Sequence, residues 1–271
     1  GVQTCALPIY RTQMISAKDV KRLRDMTGAG MMDCKKALTE SEGDFEAAVD
    51  FLRKKGQKVS AKRSDRDAKE GVIVTAVSED GSTGVIAEVN CETDFVARNE
   101  EFQAFAKDIV ALILAENPAD VENLKAASLA SGKTVAIAIE EMTGKIGEKI
   151  DVRRFSIVSA GDVGKIVAYI HPGSRLGVLV KLSGNGNLEA VGRDVAMQVA
   201  AMSPVATKRD EVDSTIQQKE MDIARDMAKA EGKPENIIDR IATGKLERFF
   251  KDNVLVEQAF VKDASVTGKE M

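Results

Sequence analysis

Residues 85–96 read VIAEVNCETDFV, an apolar run that ends in a short polar segment. Beyond this stretch, apolar residues recur at the spacing of one helix face: Phe102, Phe105, Ile109 and Leu112. The pattern predicts a strand, then a surface connection at residues 90–96, then an amphipathic helix. Because such connections carry binding residues more often than the elements they join, we expect residues 90–96 to carry the function.

Two interpretations of Asp94 and Phe95 are open. In the first, Phe95 is the first core residue of the helix and Asp94 caps its N-terminus. In the second, both side chains project into solvent, where an acceptor-only carboxylate beside a large apolar ring suits contact with another molecule. Spacing alone favours the first interpretation.

The composition of the chain disfavours several classes of function. Its 271 residues are 44% hydrophobic, which is enough for roughly two domains with buried cores. With 39 basic and 43 acidic residues, the net charge of −4 gives no general attraction to nucleic acid or to anionic membranes. Aromatic residues make up 4% and include no Trp, so few rings are available to stack on unpaired bases.

The cysteines and the apolar segments indicate a cytoplasmic protein. Cys5, Cys34 and Cys91 form no close-spaced metal pair, and their odd number argues against a disulfide framework. The longest apolar stretch of the helix after the central segment, residues 109–115, is far shorter than the ~20 residues that span a bilayer. We therefore predict no membrane segment.

The N-terminal part of the chain predicts a leader and then a three-helix domain. Residues 1–13 lack the features of a secretory signal, and we expect them to be a non-native leader. Residues 14–56 carry three short amphipathic helical patterns, with a glycine break at residues 28–30 after the first. Ser16 is the predicted cap of the first helix, and Gly56 is predicted to end the third.

The segment after Gly56 is strongly basic. Residues 57–70 are predicted as a basic linker, and the wider run 53–69 holds eight basic residues against Asp65 and Asp67. Without interleaved aromatic residues, a solvated linker is favoured over a nucleic-acid site. Binding of RNA phosphates by this run is the alternative.

The central part of the chain predicts two α+β subdomains, residues 71–160 and the first part of a second one, residues 161–207. Five strands are predicted, at 71–77, 83–90, 151–158, 166–170 and 176–182. Further helical patterns occupy residues 121–129 and 135–150, and the helix of the second subdomain stops before Pro204.

The C-terminal part predicts a helical hairpin and a returning strand. Residues 208–251 contain two charged helices with narrow apolar seams, and the sharp turn at residues 232–234 requires them to lie antiparallel. Residues 252–271 supply a return strand, at 254–261, to the second subdomain. The predicted fold class is α+β, with an N-terminal three-helix bundle, a two-subdomain core and an antiparallel helical hairpin.

The sequence predicts no catalytic, metal or cofactor site. The single histidine, His171, lies in a Pro-Gly turn without a nucleophile motif nearby. Residues 132–134, GKT, match the end of a phosphate-binding loop, but Ala127 stands where its first glycine is required. Acidic residues are scattered, without zinc or EF-hand spacing. The class that is left is an interaction protein and not an enzyme.

Three segments carry a resemblance to a known family. They are residues 23–38, LRDMTGAGMMDCKKAL, residues 88–97, EVNCETDFVA, and residues 169–180, YIHPGSRLGVLV. The first two are long and correctly ordered matches to bacterial elongation factor Ts, and the third is a weaker match. With the charged hairpin, the chain resembles this family over residues 14–262.

The resemblance implies a guanine-nucleotide exchange factor for elongation factor Tu, acting in translation elongation. The implied partner is bound in its GDP-bound and nucleotide-free forms, with no membrane and no nucleic acid involved. The segment associated in the family with dislodging Mg²⁺ from the partner corresponds to four residues here: Thr93, Asp94, Phe95 and Val96.

The resemblance also implies docking residues. The N-terminal bundle, similar in shape to ubiquitin-associated (UBA) domains, would dock on the GTPase domain of the partner through Arg24, Met31 and Met32. His171 matches a residue that touches another domain of elongation factor Tu. The helical hairpin corresponds to a dimerisation module, which implies a homodimer.

One departure from the family and two rival functions complete the expectations. Members of the family continue past the strand at 254–261 with a further helix and strand, so we expect the chain to be truncated at its C-terminus. One rival is an RNA-binding translation accessory protein that uses the basic run 53–69. The other is an adaptor whose N-terminal bundle binds ubiquitin-like partners.

Overall fold

The computed structural model describes residues 15–161 and 164–270. The predicted non-native leader, residues 1–13, lies outside these ranges, and so does Cys5. Within the described ranges, no helix combines the length and the apolar composition that crossing a bilayer requires.

The chain divides into two compact units, each of which is discontinuous in sequence. The first combines the chain up to Val72 with Glu88–Phe155. The second combines Ile73–Ala87 with the chain from Ser156 onward. Both units contain helices and strands, which confirms the predicted α+β class.

The elements follow one another in a mixed order. The first ten are α1 Ala17–Thr27, α2 Met31–Glu40, α3 Phe45–Arg63, β1 Glu70–Val77, β2 Thr83–Cys91, α4 Asp94–Ala97, α5 Glu100–Glu116, α6 Val121–Ala126, α7 Val135–Ile146 and β3 Asp151–Ser159. The later ones are β4 Gly164–Ile170, β5 Gly177–Ser183, α8 Leu188–Met202, a 3-10 turn at Arg209–Glu211, α9 Ser214–Ala230, α10 Glu235–Asn253, β6 Ala259–Phe260 and β7 Asp263–Thr267. The strands pair in the orders β1-β2-β3, β4-β5 and β6-β7.

The first three helices pack around a small common core. Ser16 caps α1 as predicted, because its hydroxyl accepts from the Asp19 N–H at 3.1 Å and the Asp19 carboxylate accepts from the Ser16 N–H at 3.2 Å. Gly28 ends α1 with a φ of 66°, a conformation that favours glycine. The core residues that are fully buried come from all three helices: Leu23, Cys34, Ala37, Leu38 and Ala48.

The prediction that Gly56 ends the third helix is wrong. Helix α3 runs through Gly56 to Arg63, so residues 57–63 of the predicted basic linker are helical. Gly56 is buried where α3 crosses α7, and a Cβ added to Gly144 of α7 would overlap the Cα of Gly56. The missing side chain therefore permits a close helix crossing, and it does not serve as a terminator.

The strand predictions of the central part are confirmed at β1 to β5, whereas two helices end earlier than predicted. Helix α6 stops at Ala126, and α7 stops at Ile146 and not at residue 150. Gly147 ends α7 with a φ of 81°, and its N–H donates to the Thr143 carbonyl at 2.8 Å. Residues 148–150 consequently form a connection between α7 and β3.

In the second unit, helix α8 packs on the β4-β5 pair. The two strands are antiparallel in continuous register from Gly164 opposite Ser183 to Ile170 opposite Gly177. The core between strands and helix contains the buried residues Val178, Val180 and Ala196. The predicted helix end before Pro204 is confirmed, since α8 ends at Met202.

The predicted helical hairpin is confirmed as α9 and α10. Gly232, with a φ of 68°, lies in the tight turn between them. The Arg225 Nε donates to the Asp239 carboxylate at 2.8 Å across the hairpin, which fits antiparallel helices.

The prediction of a continuous strand at 254–261 is wrong. The Val254 N–H still donates to the Phe250 carbonyl of α10 at 2.8 Å, and residues 255–257 form a turn. Gln258 is fully buried and its amide donates to the Asp252 carbonyl at 2.9 Å, which folds the backbone back toward the end of α10. Only Ala259–Phe260 pair as a strand, and their partner is β7.

Candidate partner-binding surface

The connection between β2 and α5 contains the four-residue helix α4, whose start is fixed by Thr93. The Thr93 Oγ1 accepts from the Val96 N–H at 3.4 Å, so Thr93 is the cap and the prediction of Asp94 as cap is wrong. The Glu148 carboxylate binds Thr93 twice: Oε1 accepts from the hydroxyl at 2.7 Å and Oε2 from the backbone N–H at 3.0 Å. Backbone and side chain of Thr93 are therefore both anchored.

The preceding residue, Glu92, is anchored as firmly. Arg63 Nη1 donates to its two carboxylate oxygens at 2.7 and 2.9 Å, and the Lys149 N–H donates to Oε1 at 2.7 Å. Burial acts to raise the pKa of Glu92, but the Lys149 N–H and Arg63 outweigh it and hold the pKa below its ordinary value. Lys149 Nζ also donates to the Ser64 and Arg66 carbonyls at 2.6 and 3.0 Å, which ties the end of α3 to the same connection.

Cys91, the residue before Glu92, also contacts this connection. Its buried thiol donates to the Thr93 carbonyl at 3.1 Å. Burial, and after it the negative charge of Glu148, raise the pKa of Cys91 to about 12. The thiol is therefore protonated at neutral pH and serves as a hydrogen-bond donor, not as a nucleophile.

Phe95 faces solvent from this anchored base. Its side chain is 80% exposed, so the interpretation of Phe95 as a core residue is wrong. The physical reason is that α5 is a separate helix with its own cap at Asn99, and its apolar periodicity does not extend back into α4. Asp94 lies beside the ring and accepts from Arg98 Nη2 at 2.6 Å, whereas Val96 is half-buried.

The predicted docking residues of the N-terminal helices lie together at the α1–α2 turn. Arg24 is exposed in the last turn of α1, and Met31 and Met32 begin α2 with 43% and 76% exposure. Met26, which the sequence interpretation did not single out, is 59% exposed in the same place. Large apolar side chains rarely cluster on a surface without a partner, so this turn is a candidate contact.

Lys145 links the α1–α2 turn to α5, the helix that follows residues 90–96, which we call the Phe95 segment. Its side chain lies so close to Gly28 that a Cβ there would overlap it. The same ammonium group forms an ion pair with Glu101 in the first turn of α5. Within this unit, the α1–α2 turn and the start of α5 are thus connected through one side chain of α7.

His171 lies in the second unit, at the β4–β5 turn. The side chain is exposed, and Nδ1 is 3.0 Å from the Tyr169 hydroxyl, with the two rings edge to face. The His171 N–H donates to the Leu176 carbonyl at 2.9 Å, which closes the turn. The position suits contact with another molecule, and its role stays a prediction.

Across residues 15–161 and 164–270, no group of three or more His, Cys, Asp or Glu side chains could hold a metal ion.

The sequence did not predict three residues of this surface: Glu148 and Arg63, which anchor Thr93 and Glu92, and Met26. Glu148 lies 55 positions from Thr93, so only the Gly147 helix end could have indicated a structured connection there.

Comparison with known proteins gives a consistent result. The family model described as elongation factor TS matches residues 92–271. A curated elongation factor Ts from Chloroherpeton thalassium is 49% identical over 258 residues, covering 93% of this chain and 89% of the relative. Another, from Cytophaga hutchinsonii, is 49% identical over 259 residues, covering 95% and 92%. With matches of this identity and length, the chain belongs to the elongation factor Ts family.

Proposed function

We propose that this chain is a guanine-nucleotide exchange factor for elongation factor Tu, and that it promotes GDP release by perturbing the Mg²⁺ and phosphate site of its partner. Membership of the elongation factor Ts family supports the partner. The observation that carries the mechanism is Phe95, an 80% exposed ring on a short helix that follows two anchored residues, Glu92 held by Arg63 and Thr93 held by Glu148.

A protruding ring on a fixed base is suited to displace elements of a metal site. Mg²⁺ requires near-ideal octahedral geometry at about 2.0–2.1 Å, so small displacements of its ligands weaken it and the phosphate contacts that it orders. Phe95 inserts between side chains of the partner, and Asp94 engages polar groups beside it. Each tenfold acceleration of release requires only about 1.4 kcal/mol of barrier reduction, which a few buried contacts can supply. No covalent bond is made or broken.

The other exposed residues dock the factor. Arg24, Met31 and Met32 bind the GTPase domain, and His171 touches another domain of elongation factor Tu. Flexible methionine side chains suit a contact that must fit both the GDP-bound and the nucleotide-free partner. Both proteins act in the cytoplasm during translation elongation.

Three features of architecture belong to the same proposal. The first three helices form a UBA-like docking domain, and the strands with their covering helices form a core of two subdomains. The α9–α10 hairpin is a homodimerisation module. Exposed apolar residues on α9 support that role: Ile216, Ile223 and Met227.

Release of a fluorescent GDP from elongation factor Tu tests the mechanism. We expect Phe95→Ala to reduce the acceleration of release by at least about tenfold, and the double variant with Asp94→Ala to reduce it further. Val205→Ala, which removes an exposed apolar side chain outside the segment, serves as the control and should leave release unchanged. Full acceleration by the double variant would remove the ring and the carboxylate from the mechanism.

Binding of structured RNA is the second candidate, and α3 supplies a specific observation for it. Lys54, Lys58 and Lys62 recur at every fourth position of a continuous helix, so they share one exposed face. In the described part of the chain no carboxylate pairs with them, whereas Lys55 and Arg63 are paired. Three unpaired cations in a row suit a phosphate backbone.

Salt dependence tests the RNA candidate. Three phosphate contacts predict a slope of about −2.1 to −2.7 in a plot of log affinity against log salt. Replacing Lys54, Lys58 and Lys62 by Gln should flatten the slope, whereas Lys35→Gln with Lys36→Gln, an exposed pair on α2, should not. A slope that the α3 variant leaves unchanged would exclude this face as an RNA site.

A further inference from the structure

We infer that Glu148 is a positioning residue for nucleotide exchange, because it sets the direction in which Phe95 projects. The inference rests on the proposed exchange function and deepens it. Its basis is the bidentate contact in which both Glu148 oxygens accept from Thr93, one from the hydroxyl and one from the backbone N–H. Nothing in the sequence near Phe95 provides this anchor.

The contact fixes the helix that carries Phe95. The N–H bond holds the Thr93 backbone, and the hydroxyl bond leaves Oγ1 oriented to accept from the Val96 N–H. These bonds define the first turn of α4, and Phe95 is its second residue. A helix of four residues is too short to be stable by itself, so its orientation depends on such external bonds.

Glu148 is itself held in place. The chain before it is fixed by the Gly147 N–H, which donates to the Thr143 carbonyl at 2.8 Å. The chain after it is fixed by the Ile150 N–H, which donates to the buried Thr143 hydroxyl at 3.3 Å. The Lys149 N–H and ammonium group bind Glu92 and the end of α3. The carboxylate therefore projects from a rigid connection, and its own position is not free to adjust.

A charged acceptor matters more here than shape. Hydrogen bonds to a carboxylate are about twice as strong as neutral ones. In Glu148→Gln one oxygen becomes an NH₂ donor, which cannot accept from either Thr93 group. The NH₂ group can meet the Thr93 hydroxyl only by donating to it, so both contacts lose their charge and the direction of the hydroxyl bond is reversed, while the size of the side chain is kept. The Phe95 ring then samples several directions, and insertion must order it first.

The first measurement reports the orientation of position 95 without any partner. Because the chain contains no Trp, Phe95→Trp introduces a single indole. We expect Glu148→Gln to lower the fluorescence anisotropy of that indole. Glu141→Gln, the same change at a residue of α7 that pairs with Lys133, should not lower it. Equal anisotropy in the Glu148 and Glu141 variants would overturn the inference, whatever the exchange rate.

The second measurement separates docking from exchange. In the chain that keeps Phe95 and does not carry the Trp substitution, Glu148→Gln should lower the maximal rate of GDP release from elongation factor Tu by about tenfold. The half-saturating concentration should stay within about twofold, because the docking residues are untouched. Thr93→Val loses the hydroxyl and should reproduce the Glu148 defect, whereas Glu141→Gln should retain the full maximal rate. If Glu148→Gln raises the half-saturating concentration and leaves the maximal rate unchanged, Glu148 acts in docking and the inference is contradicted.

The two measurements also separate this inference from the function on which it rests. If Glu148→Gln lowers the anisotropy and Phe95→Ala leaves release unchanged, the positioning role stands and the exchange mechanism falls. The opposite outcome is also defined. If Phe95→Ala abolishes the acceleration of GDP release, and Glu148→Gln changes neither the anisotropy of the indole at position 95 nor the maximal rate of release, the mechanism stands and the positioning role falls.

Discussion

At the residue scale, Glu92 shows how the base of the Phe95 segment depends on charge. Its side chain is 16% exposed and receives two bonds from Arg63 and one from the Lys149 N–H. These donors favour the ionised carboxylate over the protonated one, and they keep its pKa below the ordinary 4.5 in the folded state. Protonation would remove attraction from all three bonds.

The stability that Glu92 contributes should therefore depend on pH with a defined sign. A pKa lowered by folding gives stability that is complete above 4.5 and is lost as the pH falls through the lowered value. We expect Glu92→Gln to cost about 1–3 kcal/mol of unfolding free energy near neutral pH. The difference from the unmodified chain should shrink on acidification.

Urea unfolding at several pH values measures this difference. Glu122→Gln is the control. The Glu122 side chain is 85% exposed and its contact with Lys125 is long, at 3.7 Å, so its replacement should have little effect on the free energy of unfolding at any pH. A cost for Glu92→Gln that is constant down to acidic pH would show that the ionised form is not the stabilising one.

The same residues mark the limit of what local sequence can predict. The strand before Asn90 and the helix after Asn99 follow from their apolar spacing, and both are confirmed. The exposure of Phe95 does not follow, because its spacing also fits a core position of one longer helix. The bonds that settle the question come from Arg63 and Glu148, which lie 29 and 55 positions away from their partners.

At the scale of elements, the crossing of α3 and α7 gives an asymmetric prediction. A Cβ on Gly56 would meet the Glu140 carbonyl and the Gly144 Cα at 3.6 Å, an ordinary contact, whereas a Cβ on Gly144 would overlap the Gly56 backbone. Gly56→Ala should therefore be neutral or stabilising by up to about 1 kcal/mol, from helix propensity. Gly144→Ala should destabilise by about 1–3 kcal/mol, from overpacking.

Thermal unfolding of the two variants is a matched test, since each adds one methyl group to the same crossing. Equal effects of the two substitutions on the melting temperature would contradict the described packing.

The crossing of α3 and α7 also explains why the end of α3 was predicted wrongly. A glycine that ends a helix and a glycine that admits a neighbouring helix are the same letter in the sequence, and only the long-range contact distinguishes them.

The α9–α10 hairpin supports a prediction about association. On α9, Ile223 and Met227 are 43% and 50% exposed and lie one turn apart on one face. If this face forms the homodimer interface, Ile223→Glu should shift the sedimentation equilibrium toward monomer by at least about tenfold in Kd. Val205→Glu places the same charge at an exposed site outside the hairpin and should leave the equilibrium unchanged.

At the scale of the whole molecule, each unit combines stretches that are distant in sequence. The α+β class could be predicted, because periodicity identifies individual helices and strands. The joining of the chain up to Val72 with Glu88–Phe155 could not, because it depends on long-range contacts such as Arg63 with Glu92 and Lys149 with the Ser64 carbonyl. The anchored Phe95 segment is a product of that joining.

An exchange factor is also constrained as a whole by thermodynamic linkage. If the chain lowers the affinity of elongation factor Tu for GDP by some factor, GDP must lower the affinity of Tu for the chain by the same factor. Calorimetric titration of Tu with the chain, with and without GDP, measures one factor. Titration with GDP, with and without the chain, measures the other. Phe95→Ala should reduce both factors together, because the ring is proposed to act only on the elements that hold the nucleotide. If the variant retains both factors in full, Phe95 does not contribute to the coupling between GDP and the chain.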